Sequence, residues 1–313
     1  MAQRTQGGGA HCVLVTSTPA TAALPLSAGA PLDPSAAISI RGLVKRYGEF
    51  TAVDGLDLDI RRGEIFALLG PNGAGKTTTV EICEGYRRSD AGEVRVLGED
   101  PAAGNRRWKS RLGIVLQSNS GESQLTVREM VAAKASYYPD PRDPDEVLEL
   151  VGLTAKAGVR GKALSGGQRR RLDVALGIVG RPTLLFLDEP TTGFDPEARR
   201  QFWSLIRSLR ELGTTMLLTT HYLDEAEELA DRVGVIARGR LVEVAVPSSL
   251  GGRETAPVVV SWTEDGERRS VATATPTALV RELAGRFPGE VPDLTVARPT
   301  LEDVYLQMIG EGR

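Results

Sequence analysis

A nine-residue stretch of the 313-residue chain has the residue types and spacing of a phosphate-binding loop. It reads GPNGAGKTT and fits the pattern G-x-x-x-x-G-K-[ST], between an apolar segment that predicts a buried strand and a segment that predicts a helix. Glycines in such a loop let backbone amides turn toward a phosphate, and the helix start adds positive potential. The expected phosphate-binding residues are Gly70, Pro71, Asn72, Gly73, Ala74, Gly75, Lys76, Thr77 and Thr78.

Two carboxylates further along the chain supply what a phosphate loop needs for metal binding and hydrolysis. Lys76 of the loop is expected to reach the terminal phosphates, and the Thr77 hydroxyl to ligate Mg²⁺. Asp188 ends the hydrophobic stretch LLFLD, where a second magnesium ligand is expected. Glu189 follows directly and can polarise the water that attacks a γ-phosphate. The pattern therefore predicts Mg²⁺-assisted hydrolysis of the bound phosphate group rather than binding alone.

A second glycine-rich helix start consists of Ser165, Gly166, Gly167 and Gln168. These residues fit a Ser-x-x-Gln capping box, which is enough to start a stable helix. Capping does not explain two glycines in the first turn, because each costs about 0.5 to 1 kcal/mol relative to alanine. Glycines there leave backbone amides open to close approach by a negatively charged group. The stretch therefore predicts a second phosphate-binding site.

His221 and Gln117 each end an apolar run that predicts a strand. Ligands bind at the carboxyl ends of strands in a parallel α/β sheet, so both side chains are candidates for the site. From the residues alone, a structural role is the more frequent outcome for such a histidine. An ordinary loop position is as good an interpretation of Gln117 as any functional role.

The elements that would position these residues alternate between strand and helix from Ile38 onward. Apolar strands such as Glu64 to Leu69 predict an α/β fold with a parallel sheet covered on both faces. Arg238 and Gly239 predict a hairpin that ends this domain. After residue 247 the pattern changes to short strands and helices. The predicted domains are a disordered extension over 1–37, a nucleotide-binding domain over 38–247 and a small C-terminal accessory module over 248–313.

Composition excludes several other classes of protein. The formal net charge is only −3 and the sequence pI is about 5.7, so no nucleic-acid partner is expected. The two cysteines, Cys12 and Cys83, match no disulfide or metal-ligand spacing. No apolar run approaches the ~18 to 20 residues of a membrane-spanning helix. We therefore expect a chain that is soluble by itself.

The ordered set of motifs resembles the nucleotide-binding subunit of ATP-binding cassette (ABC) transporters. GPNGAGKTT is similar to the Walker A motif of that family, LSGGQ to its signature motif and LLFLDEP to its Walker B motif. The resemblance implies a P-loop NTPase fold with a mostly parallel core sheet, an antiparallel β subdomain and a helical signature subdomain, followed here by a small α+β C-terminal module. It also implies ATPase activity with ATP and Mg²⁺.

The resemblance implies further roles for single residues. Tyr47, in KRYGEF, matches the aromatic residue that stacks on adenine, and Gln117 matches a residue that touches magnesium and senses the membrane partner. His221 matches the histidine that contacts the γ-phosphate. Asp195, in TTGFDP, matches the D-loop aspartate, although the family usually has leucine where Phe194 stands.

The family resemblance also implies partners. Two such domains associate head to tail, with each ATP between the Walker A motif of one and the signature motif of the other. One copy of each motif implies a dimer with itself or with a similar chain, on the cytoplasmic face of the cell membrane beside a separate permease. The terminal PTLEDVYLQMIG resembles the bacterial exporter branch of daunorubicin-resistance type, which implies efflux of a drug, an antibiotic or a lipid-like compound. An importer ATPase, or a soluble ABC protein of translation or DNA maintenance, is the alternative.

Overall fold

The computed structural model describes residues 31–116 and 124–310, an α/β fold with three sheets. Its strands are β1 (Ile38–Tyr47), β2 (Phe50–Ile60), β3 (Ile65–Leu69), β4 (Ala91–Val96), β5 (Leu112–Val115), β6 (Leu184–Asp188), β7 (Thr215–Thr219), β8 (Arg232–Ala237), β9 (Arg240–Ala245), β10 (Val258–Glu264), β11 (Glu267–Thr273) and β12 (Thr295–Ala297). Its helices are α1 (Lys76–Cys83), α2 (Arg106–Lys109), α3 (Val127–Ala135), α4 (Pro144–Leu150), α5 (Gly166–Ile178), α6 (Pro196–Glu211), α7 (Leu223–Leu229), α8 (Pro276–Arg286) and α9 (Leu301–Gly310).

The largest sheet has six strands in the order β5-β6-β7-β3-β8-β9, and only β9 runs antiparallel to its neighbour. All five residues of β3 are buried, because core clusters cover both faces of the sheet. The predicted parallel α/β sheet is therefore confirmed. The carboxyl ends of β3, β6 and β7 lie side by side, which brings together residues far apart in sequence.

The remaining β structure is antiparallel. Strands β2, β1 and β4 form a sheet of three, in which Ile38 pairs with Ile60 on one side and Val96 on the other. The hairpin between β8 and β9 turns at Arg238 and Gly239, whose φ angles of 52° and 78° are typical of a tight hairpin turn. The predicted antiparallel subdomain and closing hairpin are both present.

The capping box predicted at Ser165 is formed, and a second one lies at Thr126. Thr126 starts α3 and exchanges hydrogen bonds with Glu129. Ser165 starts α5: its hydroxyl accepts from the Gln168 amide at 3.3 Å, and its own amide donates to the Gln168 side chain at 3.1 Å. Helix α5 packs against β5 and against α3 and α4, so the glycine-rich start is carried by a helical layer beside the sheet.

The last part of the chain has two packing environments. Strands β10, β11 and β12 and helix α8 enclose a small core that contains Val260, Trp262 and Leu283. Helix α9 instead returns to the large core, where Leu301 is buried beside Leu250. The predicted boundary at residue 247 stays a prediction, but the final helix lies against the larger part of the molecule.

Two predictions fall on residues for which the structure gives no description. Residues 1–30, most of the predicted N-terminal extension, and Gln117 lie outside the described residues. Within 31–116 and 124–310, no helix has both the length and the apolar character needed to cross a bilayer.

Candidate functional site

A cavity of about 710 Å³ opens at the carboxyl ends of β3, β6 and β7. Eight of the nine residues of the predicted phosphate loop line it; Ala74 is the exception, because its side chain is buried in the core beneath. The other lining residues are Tyr47, Phe50, Ala52, Asp188, Glu189, His221 and Tyr305. The structure therefore gathers most of the sequence-predicted residues around one space of ligand size.

The loop has a backbone path that requires glycine at two points. Gly75 has a φ of 107°, and a Cβ there would overlap the carbonyl oxygen of Ala52. A Cβ at Gly70 would overlap the carbonyl oxygen of Ile236. Helix α1 begins directly after Gly75, so its first amides open toward the cavity. The loop thus has the glycine cradle and helix start that a triphosphate needs.

Lys76 is held inside this cradle by the loop itself. Its ammonium donates to the carbonyl oxygens of Gly70 at 2.6 Å and Pro71 at 3.2 Å. Burial lowers the pKa of Lys76, while the charges of Glu189 and Asp188 act to raise it. Carbonyl oxygens orient the ammonium without neutralising its charge, so it remains available to an anion in the cavity.

Asp188 is the last residue of β6, and Glu189 follows it; the two carboxylates have different partners. Thr219, at the end of β7, donates its hydroxyl to an Asp188 carboxylate oxygen. The Glu189 amide donates to the Thr219 carbonyl at 3.0 Å, with Glu189 at a φ of 44°. Its carboxylate reaches His221, with Oε1 3.4 Å from Nδ1. A left-handed conformation at a residue other than glycine costs free energy, and here neighbouring hydrogen bonds hold it in place.

The opposite end of the cavity is aromatic. Tyr47 and Phe50, on either side of the turn between β1 and β2, are 41% and 59% exposed. The Lys45 ammonium lies 5.6 Å from the centre of the Tyr47 ring. Exposed aromatic faces beside a phosphate loop fit a purine base, because planar rings gain stacking energy there. The cavity is therefore lined both by aromatic rings that suit a base and by a glycine loop that suits phosphates.

The glycine-rich start of α5 does not reach this cavity. Ser165 and Gly166 are exposed on the surface, and a Cβ built on Gly166 or Gly167 would meet nothing within 4 Å. Asp195 is also outside the cavity, where it caps α6 by accepting from the Ala198 amide at 2.8 Å. Within one chain, these residues lie apart from the phosphate loop.

The sequence did not predict the positions of two residues near the site. Arg170 looks like part of a basic surface run, yet it is 7% exposed and donates to the carbonyls of Leu116, Asp188 and Pro190. Tyr305 lines the cavity from the C-terminal helix. The only sequence signal for Arg170 is its position two residues before the buried Leu172; nothing near Tyr305 marks it.

Comparisons with known proteins identify relatives of this chain. The model of the ABC transporter family matches residues 53–192. Nod factor export ATP-binding protein I of Ralstonia nicotianae is 38% identical over 87% of this chain and 94% of its own length. The daunorubicin/doxorubicin resistance ATP-binding protein DrrA of Streptomyces peucetius is 37% identical over 89% of this chain and 94% of its own. Among solved structures, cbiO1 of Clostridium perfringens, part of the ABC transporter complex cbiONQ, is similar at 27% identity and a TM-score of 0.62, covering 69% of this chain and 90% of that one.

Proposed function

Because the chain belongs to the ABC transporter family, we propose that it is the ATP-binding and ATP-hydrolysing subunit of an export pump. The observation that carries the proposal is the single cavity shared by the phosphate loop, Asp188, Glu189 and His221. The three strands behind these residues keep them at fixed positions, and fixed charges are what phosphoryl transfer requires of a protein.

Each residue of the cavity has a task that its position supports. Tyr47 stacks on the base, and Lys76 with the loop amides binds the terminal phosphates. Thr77 and Asp188 present the oxygen ligands that Mg²⁺ prefers, and the ion supplies charge neutralisation at the phosphates when bound. Glu189 accepts the proton of the attacking water, and His221, beside it, binds the γ-phosphate. Gln117 remains a predicted magnesium contact.

We propose that the full catalytic site forms between two copies of the chain or between the chain and a similar one. Ser165 and Gly166 are exposed and Gly167 and Gln168 are partly buried at a helix start that suits a phosphate. All four lie outside the cavity of their own chain. Docking of this surface on the open cavity of a partner would complete the phosphate shell. Asp195, close in sequence to Glu189, belongs to the same proposed contact.

The transmembrane part of the pump is proposed to be a separate permease. A second cavity, of about 770 Å³, lies beside α1, α3 and β5 on another face. Tyr86 and Tyr137 on its rim are 77% and 78% exposed, and Ile114 and Leu116 add apolar surface. Exposed aromatic and aliphatic surface of this kind is typical of a protein contact. It supports docking of the permease here, which would place the chain on the cytoplasmic face of the membrane.

Export is proposed over import because the relatives named above are an export protein and a drug-resistance protein. A drug, an antibiotic or a lipid-like compound is the proposed cargo. The residues that select it would belong to the permease.

Phosphate release from Mg²⁺ and ATP by the purified chain tests the proposed activity. We expect turnover by the wild type and its loss in Lys76→Ala, because the terminal phosphates then lose their fixed cation. A wild-type chain that binds ATP but does not hydrolyse it, even in membranes that contain its permease, would exclude the proposal.

A further inference from the structure

The C-terminal helix reaches the nucleotide cavity of its own chain. Tyr305, on α9, borders the same space as Lys76, Glu189 and His221. More than 80 residues separate Tyr305 from the nearest of these in sequence, and β10, β11 and α8 lie between them. One wall of the cavity therefore comes from an element outside the catalytic motifs.

A helix cap and packing against the large core hold α9 in this position. Thr300 caps the helix by accepting from the Asp303 amide at 3.1 Å. Leu301 and Val304 are buried, and α9 contacts α7, the helix that begins just after His221. The side chain of Tyr305 itself packs partly into the large core. The helix is thus held beside the phosphate end of the cavity.

Arg253 ties the segment before α9 to the same region. Its guanidinium donates to the carbonyl of Pro247 at 2.9 Å, to that of Pro299 at 3.2 Å and to the Glu227 carboxylate at 3.0 Å. Glu227 belongs to α7 and Pro299 lies just before α9. The Arg253 side chain is 15% exposed and that of Glu227 is 49% exposed, so the guanidinium links the two elements at the edge of the packed region.

We propose that α9 completes the nucleotide site and that the ring of Tyr305 contacts the bound nucleotide. The proposal rests on the proposed function, since it assumes that ATP occupies this cavity. A half-buried phenol offers both an apolar ring face and a hydroxyl that donates a hydrogen bond. Burial raises the pKa of Tyr305, so the hydroxyl stays protonated and remains a donor at neutral pH.

The position of α9 can be disturbed from outside the cavity. Gly251 and Gly252 are neighbours with φ angles of 58° and 73°. A Cβ on Gly251 would overlap Val304 and lie 3.0 Å from Met308, whereas one on Gly252 would meet only Thr255 Oγ1, at 3.7 Å. Alanine at either glycine adds similar backbone strain, but only Gly251→Ala displaces α9.

Binding of the non-hydrolysable analogue AMP-PNP with Mg²⁺, measured by calorimetry on the full chain, tests the proposal. We expect Tyr305→Ala to weaken binding about three- to tenfold and Tyr305→Phe to recover most of it. Gly251→Ala should also weaken binding, while Gly252→Ala and Leu306→Ala, an exposed position on α9, should match the wild type.

The outcomes separate this inference from the proposed function. If the wild type binds no AMP-PNP, or if Lys76→Ala binds as well as the wild type, the assignment of the cavity to ATP fails. If Lys76→Ala loses binding while Tyr305→Ala and Gly251→Ala bind like the wild type, only the role of α9 is overturned. If Tyr305→Ala binds AMP-PNP as tightly as the wild type while Gly251→Ala binds it weakly, the proposed contact between Tyr305 and the nucleotide is overturned. Thermal unfolding of Gly251→Ala against Gly252→Ala checks that each variant is folded.

Discussion

Glu189 and His221 follow two different strands and meet at the phosphate end of the cavity, with 3.4 Å between Oε1 and Nδ1. The sequence places each at the end of a strand but does not state their distance. Parallel neighbours β6 and β7 align these ends because Asp188 pairs with Thr219. The closeness of the proposed general base and the proposed phosphate-binding histidine is thus a consequence of strand register.

Replacement of the proposed base tests this pair. Glu189→Gln should lower ATP turnover by about 10²-fold or more, because the amide cannot accept the proton of the attacking water. Binding of ATP should persist, and the ATP-bound dimer should accumulate in size-exclusion chromatography with light scattering. Glu211→Gln, at an exposed position, is the matched control. Equal turnover in both variants would remove Glu189 from the chemistry.

Glu84, at the end of α1, makes stability depend on pH. Burial, and then the charges of Asp188 and Glu81, raise the pKa of Glu84 to about 7 from an ordinary 4.5. The folded chain therefore binds this proton more tightly than the unfolded chain. The stabilisation is complete below about pH 4.5 and is lost as the pH rises through 7, an effect on the order of 3 kcal/mol.

Urea unfolding at pH 5 and pH 8 measures this loss. In Glu84→Gln the fall in the free energy of unfolding between the two pH values should be smaller than in the wild type, since the variant lacks the titrating group. Glu149→Gln, at an exposed position on α4, should keep the wild-type difference. An unchanged pH dependence in Glu84→Gln would contradict the raised pKa.

At the scale of elements, Arg170 connects the helix that starts at Ser165 to the strands that hold the carboxylates. Its three carbonyl acceptors belong to the segments after β5 and β6 and to the last residue of β6. A buried guanidinium can reach several carbonyls at once because its donors spread in a plane. Helix α5 is therefore fixed to the end of the sheet where Asp188 lies.

Removal of this guanidinium should destabilise the fold. Arg170→Leu leaves three carbonyls without their donor, so we expect the free energy of unfolding to fall by about 2 to 4 kcal/mol. Arg171→Leu removes the neighbouring guanidinium, whose bond is to Gln201 at the surface, and should cost less than about 1 kcal/mol. Denaturant titration compares the two. Similar losses would show that the three buried hydrogen bonds of Arg170 stabilise the fold no more than the surface bond of Arg171 does.

At the scale of the whole molecule, one chain presents an open cavity on one side and a glycine-rich helix start elsewhere on its surface. The proposed function needs both, so it needs two copies. Ser165→Arg should leave binding of ATP to the single chain nearly intact, because Ser165 is outside that cavity. It should abolish dimer-dependent hydrolysis, since the long charged side chain blocks the approach of a second copy.

Because Ser165→Arg also removes a helix cap, its control is a variant that loses a cap on a different helix. Thr126→Ala removes an equivalent capping box, on α3, and costs about 1 kcal/mol in the same way. We expect it to hydrolyse ATP at the wild-type rate, measured as phosphate release at several protein concentrations. Loss of ATP binding by monomeric Ser165→Arg would show instead that the second phosphate site is not shared.

The sequence alone determined the features that depend on neighbours along the chain. The phosphate loop, the capping boxes of Thr126 and Ser165, the hairpin at Gly239 and the alternation of strand and helix follow from local backbone preference and apolar spacing. The order of the motifs was sufficient to predict the family and the α/β fold. The roles assigned to single residues by that resemblance stay predictions.

Only the tertiary structure decided which distant residues meet. It placed Tyr305 in the cavity, buried Arg170 against three carbonyls and kept the start of α5 out of the phosphate site of its own chain. These outcomes depend on how helices pack on the sheet and on which residues end adjacent strands. Packing of that kind arises from contacts between segments far apart in sequence, which no local spacing encodes.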